Sequence, residues 1–336
     1  MDKEETINPV LDVIIPVYNE EPNIPMLLGR IKGMLKQIED VRVEVIFIDD
    51  HSMDNSPALL KDACRKNKGY RYLRLSRNSG SHISILAGLD HVQGDSAVFM
   101  ASDLQDPPEL IPQMLELWRT GKHIVWAVRA HREGISWIEK FLASTFYRLI
   151  NRFGQVKLPP QGSDFALLDR SVIDALLESA SASPSLGGEI ARLGFSQAQI
   201  PYTKAKRQFG RSKWNLGRKL RAFVDAFVLF SFTPLRAMSY LGMVCSLFGF
   251  LYALIVIFLR LFAGAQIEGW ASLMVVVLLL GGIQMIMLGV LGEYLWRTLE
   301  ETRRRPRYFI EDAYGLETPR IPKRSGSQLL QDDPHD

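Results

Sequence analysis

In the stretch MASDLQDPPE, residues 100–109, a carboxylate and an amide stand two residues apart, Asp103 and Gln105, directly after the apolar run SAVFM. Side chains at i and i+2 of an extended segment project to one side, so both oxygens can reach a single hard cation such as Mg²⁺ or Mn²⁺. Two protein ligands are few. That number suits a site whose shell is completed by water and diphosphate oxygens, where the cation offsets charge on a departing diphosphate. The competing explanation is a turn and a cap. Pro107 and Pro108 fit a first helical turn and Asp106 is a good N-cap, which accounts for Asp106 and leaves Asp103 and Gln105 open.

Four further groups of residues carry candidate chemistry. In IDDHSMD, residues 48–54, Asp49 and Asp50 either cap the helix that begins near Ser56 or accept from the imide N–H of uracil or the amide of guanine. With Tyr18 offering a ring face to a base, the second alternative makes a nucleoside pocket. In GSDFALLDR, residues 162–170, Asp164 stands at the start of a short apolar stretch, either as a loop carboxylate or as a strand-start cap. Arg129 and Arg132 follow an apolar run and either contact a donor diphosphate or form a solvated surface. Between Lys204 and Arg221 lie eight basic residues, Lys204, Lys206, Arg207, Arg211, Lys213, Arg218, Lys219 and Arg221. They read either as a belt held by anionic lipid or, in RQFGRSKW, as a phosphate site made by Arg207, Arg211, Ser212 and Lys213, arginine giving bidentate contact and lysine a point charge.

The elements that must position these residues alternate regularly. Apolar runs LDVIIPV, VEVIFI, YRYLRL, SAVFMA and HIVWAV are separated by helical patterns over residues 22–38, 56–66, 81–92 and 108–120. Val- and Ile-rich strands with helices between them predict an α/β fold with a parallel sheet covered on both faces. Ligands of such sheets bind at the carboxyl ends of the strands. Tyr18, Asn19 and Glu20 follow the first run, Asp49 and Asp50 the second, Arg77 and Asn78 the third, and Asp103 and Gln105 the fourth, so all four clusters are expected on one rim. Neither G-x-G-x-x-G nor G-x-x-x-x-G-K-[ST] occurs, which argues against a dinucleotide-binding dehydrogenase and a P-loop ATPase.

The chain of 336 residues is 47% hydrophobic and 23% charged, but its last third is far more apolar than the rest. Residues 238–262 and 270–296 are each long enough to cross a bilayer core of about 30 Å as a helix, and they end in Trp, Tyr and Arg. Arg218, Lys219, Arg221 and Arg236 precede the first run and RTLEETRRRPR follows the second, whereas the AGAQIEG between them has neither Lys nor Arg. Both termini are therefore expected in the cytoplasm. Residues 1–8 show no signal-peptide pattern. The two cysteines, Cys64 and Cys245, fall in different regions, which fits a reducing compartment and gives no thiolate metal site. A net charge of +3 with sparse aromatic interleaving and no recognition module gives no sign of nucleic-acid binding. The tail beyond Tyr314 is polar and proline-containing and is expected to be disordered.

The motifs VIIPVYNEEPNI, VIFIDDHSMDNS, LSRNSGSHISILAGLDHVQGD and ASDLQDPPELI resemble the family 2 glycosyltransferases of GT-A fold. With GSDFALLDR, RQFGRSKWNLGRKL and two C-terminal apolar runs, residues 10–305 are similar to the polyprenyl-phosphate glycosyltransferases, which include bactoprenol glucosyltransferases and dolichyl-phosphate mannose synthases. The resemblance implies a Rossmann-like GT-A domain with a mostly parallel sheet over residues 1–203, a basic amphipathic juxtamembrane segment over 204–236, a two-helix transmembrane hairpin over 237–297 and a partly disordered cytoplasmic tail over 298–336. It implies that Pro16, Tyr18, Glu20, Asp49 and Asp50 hold the nucleotide and that Asp103 and Gln105 hold the metal diphosphate; Arg77 and Arg129, by their place after strands, are the further candidate donor contacts. Asp164 would lie near the acceptor as candidate base; alternatively it orients the acceptor or a sugar hydroxyl, because a lipid monophosphate, with a second pKa of about 6, is already mostly deprotonated at pH 7. The implied activity is inverting transfer from a nucleotide sugar, UDP-glucose first and GDP-mannose or a UDP-amino sugar as rivals, to polyprenyl phosphate at the cytoplasmic face of a bacterial-type plasma membrane, by a single chain or a homo-oligomer. Two departures stand out. Ala101 replaces the first aspartate of the family's D-A-D-L-Q, which leaves a catalytically silent nucleotide-binding scaffold as a second possibility, and Ser81 and His82 replace a Gly-Lys-Glu type sequence, with His82 read as a capping or helix-surface residue.

Overall fold

The computed structural model describes residues 8–131, 164–179, 186–203, 233–262, 269–303 and 306–316. The alternation seen in the sequence becomes β1 (Val10–Val17), α1 (Ile24–Leu35), β2 (Arg42–Asp49), α2 (Ser56–Lys66), β3 (Tyr70–Leu75), α3 (Ser81–Leu89), β4 (Ser96–Phe99), a 3₁₀ turn (Pro108–Leu110), α4 (Ile111–Arg119) and β5 (Ile124–His131). There follow β6 (Ala166–Asp169), α5 (Arg170–Glu178), α6 (Leu186–Arg192), β7 (Gln197–Thr203), α7 (Thr233–Phe262), α8 (Trp270–Arg303) and β8 (Ile310–Tyr314).

The strands form one eight-stranded sheet in the order β7-β5-β6-β4-β1-β2-β3-β8. Strands β4, β1, β2 and β3 are mutually parallel neighbours, as the helical crossovers require. Their alternate residues face opposite layers. Val13 and Ile15 of β1 pack with Leu27, Ile31 and Met34 of α1, whereas Ile14 packs with Ile85 and Leu89 of α3 and Ile173 of α5. Burial on both faces explains why these strands read as continuous apolar runs. On the α3 side, Gly88 lies against Ile14 with no room for a Cβ, which fixes how closely the helix approaches β1.

Two features go beyond what the sequence predicts. The fifth run does not join β4; β6 lies between them, antiparallel to both, within a sheet that is mostly parallel as expected. Four residues of ALLD are too short to announce this insertion. Residues 310–314, which precede the part of the tail expected to be disordered, form β8, antiparallel to β3 at the sheet edge.

Helices α7 and α8 contain windows of 19 and 24 residues, Met238–Val256 and Leu273–Trp296, long and apolar enough to cross a membrane, and neither window is buried. Their side chains are apolar on every side, with Phe248, Leu251, Leu279 and Leu288 all exposed. A helix apolar all round needs either a protein core or lipid around it.

Candidate functional site

Strand directions decide where the polar residues meet. The carboxyl ends of β1 to β4 open on one rim, and the antiparallel β6 begins on that same rim, since Ala166 pairs with Phe99. Strands β5 and β7 end there as well, with Arg129 beside Tyr202 in register, and β8 starts there, with Ile310 opposite Leu75.

The turns after β1 and β2 interlock. Asn19 and His51 have positive φ values of 54° and 61°, sparsely populated backbone that surrounding bonds must hold. Asn19 N–H donates to Ser52 Oγ at 2.9 Å, and Asn19 Oδ1 accepts from Met53 N–H at 2.8 Å. Glu20 N–H donates to Ser56 Oγ at 3.1 Å, and the Glu20 carboxylate accepts from Asn23 Nδ2. Tyr18 stands half-buried on this turn, and Pro16 half-buried within β1, opposite Ile48.

Asp49 and Asp50 do not cap α2. Asp49 is fully buried and accepts from Ser52 N–H at 2.9 Å, from Tyr72 Oη at 3.1 Å and from Arg74 Nη1. Asp50 turns to the start of α3, accepting from Ser79 N–H at 2.7 Å and Gly80 N–H at 2.8 Å. Gly80, at φ 90°, supplies the conformation that points its N–H there. Burial pushes the Asp50 carboxyl above its ordinary value, against the Ser79, Gly80 and Ser84 hydrogen bonds that lower it. Both carboxylates therefore shape the rim from within. Arg77 is exposed beyond β3.

After β4 the chain alternates: Ser102, Leu104 and Asp106 are buried, while Ala101, Asp103 and Gln105 are half-buried. Asp103 and Gln105 are thus partly open to solvent on either side of a buried Leu104 whose φ of 62° breaks the extended segment expected there, with Asp103 Oδ1 accepting Gln105 N–H at 3.2 Å. Leu104, at φ 62°, is held by Arg30, whose Nη1 donates to its carbonyl at 3.2 Å while Nε and Nη2 grip Glu109 at 3.0 and 2.6 Å. No group of three or more His, Cys, Asp or Glu suited to a metal exists among the described residues. A carboxylate and an amide, both half-buried on one strained turn, are donors of the kind a hard divalent cation completed by substrate oxygens takes.

Asp106 does not cap the helix that follows; Pro107 occupies the N-cap position of the 3₁₀ turn. The Asp106 carboxyl is instead fully buried, accepting from Tyr202 Oη at 2.6 Å and Ala101 N–H at 3.4 Å. Tyr202 also bonds Arg129, whose Nη2 donates to Asp164 Oδ2 at 2.8 Å. Burial disfavours the Arg129 charge, but Asp164, Tyr202 and Asp106 outweigh it and hold the guanidinium protonated. A polar chain thus runs from the acidic turn through Asp106, Tyr202 and Arg129 to Asp164, which is half exposed. Tyr202 and Asp106 were not among the sequence candidates. The alternation of QAQIPYT, with Tyr202 the residue it buries, is the signal that identifies β7. Arg132, Arg207, Arg211, Ser212 and Lys213 lie outside the described residues.

Residues 12–177 match the model of glycosyl transferase family 2. An uncharacterized glycosyltransferase of Synechocystis is 38% identical over 307 residues, covering 91% of this chain and 96% of that protein. The chain belongs to glycosyl transferase family 2. This glycosyltransferase is also 32% identical to the bactoprenol glucosyl transferase of Shigella phage SfV and to a prophage bactoprenol glucosyl transferase homolog of Escherichia coli, each over 90% of the chain and 98% of the relative. Among solved structures it is similar to glucosyl-3-phosphoglycerate synthase of Mycobacterium tuberculosis, at 19% identity, 65% coverage of this chain, 79% of that one and a TM-score of 0.48. The glycosyltransferase has the GT-A fold, its mixed sheet carrying the Rossmann-like β4-β1-β2-β3 half.

Proposed function

We propose that this glycosyltransferase moves glucose from UDP-glucose to polyprenyl phosphate at the cytoplasmic face of a membrane, with inversion. The observation that carries the reading is the shared rim: the turn that bears Asp103 and Gln105 follows β4, and the Arg129–Asp164 pair lies where β5 ends and β6 begins on that same rim. Thr203, the last residue of β7, ends on that rim, and the next residue opens the basic segment that leads to the two apolar helices. The relatives named bactoprenol glucosyl transferases support this acceptor.

In the proposed step an oxygen of the lipid phosphate attacks the anomeric carbon as the bond from that carbon to the diphosphate oxygen breaks, so the nucleoside diphosphate leaves with the bonding pair. Tyr18 and Glu20, on the locked β1 turn, border the nucleoside, and Asp49 and Asp50 hold the turns that form its walls. Asp103 and Gln105 would hold Mg²⁺ or Mn²⁺, which would offset charge on the leaving diphosphate. Arg129 adds a fixed positive charge at the rim, and Arg77 stands at its donor side. Asp164, gripped by Arg129, orients the acceptor or a sugar hydroxyl, since the phosphate needs little help from a base at pH 7. Arg207, Arg211, Ser212 and Lys213 receive the acceptor phosphate. The acceptor tail stays in the bilayer, so a rim tethered by two spans holds both reactants within reach. With both termini cytoplasmic, the spans form a hairpin.

The test is initial rate with UDP-glucose, GDP-mannose and UDP-N-acetylglucosamine against extracted lipid phosphate. UDP-glucose should be used at least about tenfold better in kcat/KM than either rival. Preference for another sugar would replace the donor, and the absence of transfer from all three would favour a nucleotide-binding scaffold.

A further inference from the structure

Strand β8 brings into the rim a residue from the far side of both apolar helices. Its Glu311 follows Ile310, which pairs with Leu75 at the carboxyl end of β3. Glu311 Oε2 accepts from Arg74 Nε at 2.9 Å and stands 3.1 Å from His51 Nδ1. Arg74 Nη1 continues to Asp49 Oδ2 and to Ser52 O, the latter at 3.1 Å. Ser52 Oγ in turn receives Asn19 N–H, on the turn that carries Tyr18 and Glu20. Glu311 is therefore two side chains away from both walls of the nucleotide rim, although 237 and 260 residues separate it from Arg74 and His51.

These contacts exceed what docking the strand needs. The β3 ladder, Ser76 N–H to Phe309 O at 2.9 Å, Tyr308 Oη to Asp90 at 2.6 Å and the Lys61–Asp312 pair already attach the segment. An ordinary exposed ion pair contributes little to stability. Arg74, however, has only 14% of its side chain exposed and carries carboxylates at both ends of its guanidinium, Glu311 on Nε and Asp49 on Nη1. Gripping the Nε edge of a planar fork fixes the direction of the other edge. Glu311 and the Leu75 carbonyl also share His51 Nδ1, at 3.1 and 3.3 Å, which holds a non-glycine residue with φ 61° at the mouth of the β2 turn.

We propose that Glu311 is a positioning residue for the donor nucleotide, acting through Arg74 and His51 on the turns at residues 49–52 and 18–20. The nucleotide pocket is complete only when the segment that follows the second apolar helix is docked on β3. This rests on the reading of those turns as the nucleotide site.

The test uses the full chain in detergent micelles, with UDP and then GDP binding measured by titration calorimetry in the presence of Mn²⁺, followed by steady-state kinetics. Glu311→Ala should raise the Kd for the nucleotide and the donor KM about tenfold, with kcat and the KM for polyprenyl phosphate within about twofold of the unmodified protein. Glu311→Gln, which keeps an oxygen for Arg74 Nε, should fall between, and it carries the test if the alanine variant does not fold. Asp312→Asn and Tyr308→Phe weaken the strand elsewhere and should leave donor KM within about twofold. Unchanged nucleotide binding in both Glu311 variants overturns the proposal, and so do equal losses in all four variants, which would make β8 a generic structural strand. If the unmodified protein binds neither UDP nor GDP, the nucleotide reading fails and the proposal falls with it; binding that is intact and indifferent to Glu311 sinks the proposal alone.

Discussion

Replacing Tyr202 by phenylalanine removes one oxygen from the centre of the polar chain. That oxygen donates to Asp106 at 2.6 Å, and Asp106 is fully buried, with Ala101 N–H a longer partner at 3.4 Å. Removing one hydrogen bond to a buried carboxyl costs about 2 kcal/mol, within the range for hydrogen bonds to charged groups. The phenyl ring keeps its edge contact with Phe165, whose centroid is 6.1 Å away, so no cavity adds to the loss. For a domain of this size the loss corresponds to a fall in Tm of roughly 4–8 °C. Because Asp106 anchors the turn bearing Asp103 and Gln105, about 1 kcal/mol of that loss felt at the turn would raise the half-saturating Mn²⁺ concentration roughly fivefold. Thermal melts and Mn²⁺ titrations of sugar transfer on the full chain check both numbers. A Tm within 1 °C of the unmodified protein together with unchanged Mn²⁺ dependence would refute the claim that Tyr202 supports the acidic turn.

Asp103→Asn should lower kcat/KM by about 2–4 kcal/mol, roughly 30- to 1,000-fold, and chelator should abolish transfer by the unmodified protein; full activity in both experiments would remove the metal from the site. Arg30 holds Glu109 below its ordinary value of 4.5, mainly through its hydrogen bond, so the pair's contribution is present above 4.5 and is lost as pH falls through the depressed folded value. Glu109→Gln should therefore melt lower than the unmodified protein at neutral pH, and the difference should narrow in paired melts as pH falls below 4.5. Single alanine variants of Arg207, Arg211 and Lys213 should lose lipid-dependent turnover with donor affinity preserved, whereas Lys204→Ala and Lys219→Ala should cost only about 1 kcal/mol of membrane attraction. Equal small losses in all five would make the segment a generic basic belt.

The rim was legible because parallel strands place their carboxyl ends together, and the polar residues after each apolar run fall there whatever the details of packing. Asp103 and Gln105 stood out for the same reason, an i, i+2 pair just beyond a strand. What escaped was pairing across long sequence separations. Asp106 looks like an N-cap because it precedes two prolines, but Tyr202, 96 residues away, captures its carboxyl. Asp49 and Asp50 look like caps for α2, yet Arg74 and the Ser79–Gly80 backbone compete for them more effectively from neighbouring elements. ALLD and IEDAY are too short for periodicity to separate strand from loop, and only the edges offered by β4 and β3 make strands of them.

The central claim is that a lipid phosphate takes the sugar at this rim, and the direct measurement is transfer of labelled glucose from UDP-glucose by the purified full chain to polyprenyl phosphate, set beside the same polyprenol without its phosphate. The account predicts a Mn²⁺- or Mg²⁺-dependent glycolipid formed only with the phosphorylated lipid, with the configuration at the anomeric carbon inverted. Glucose appearing on the unphosphorylated alcohol at the same rate, or product that retains the donor's configuration, would contradict it.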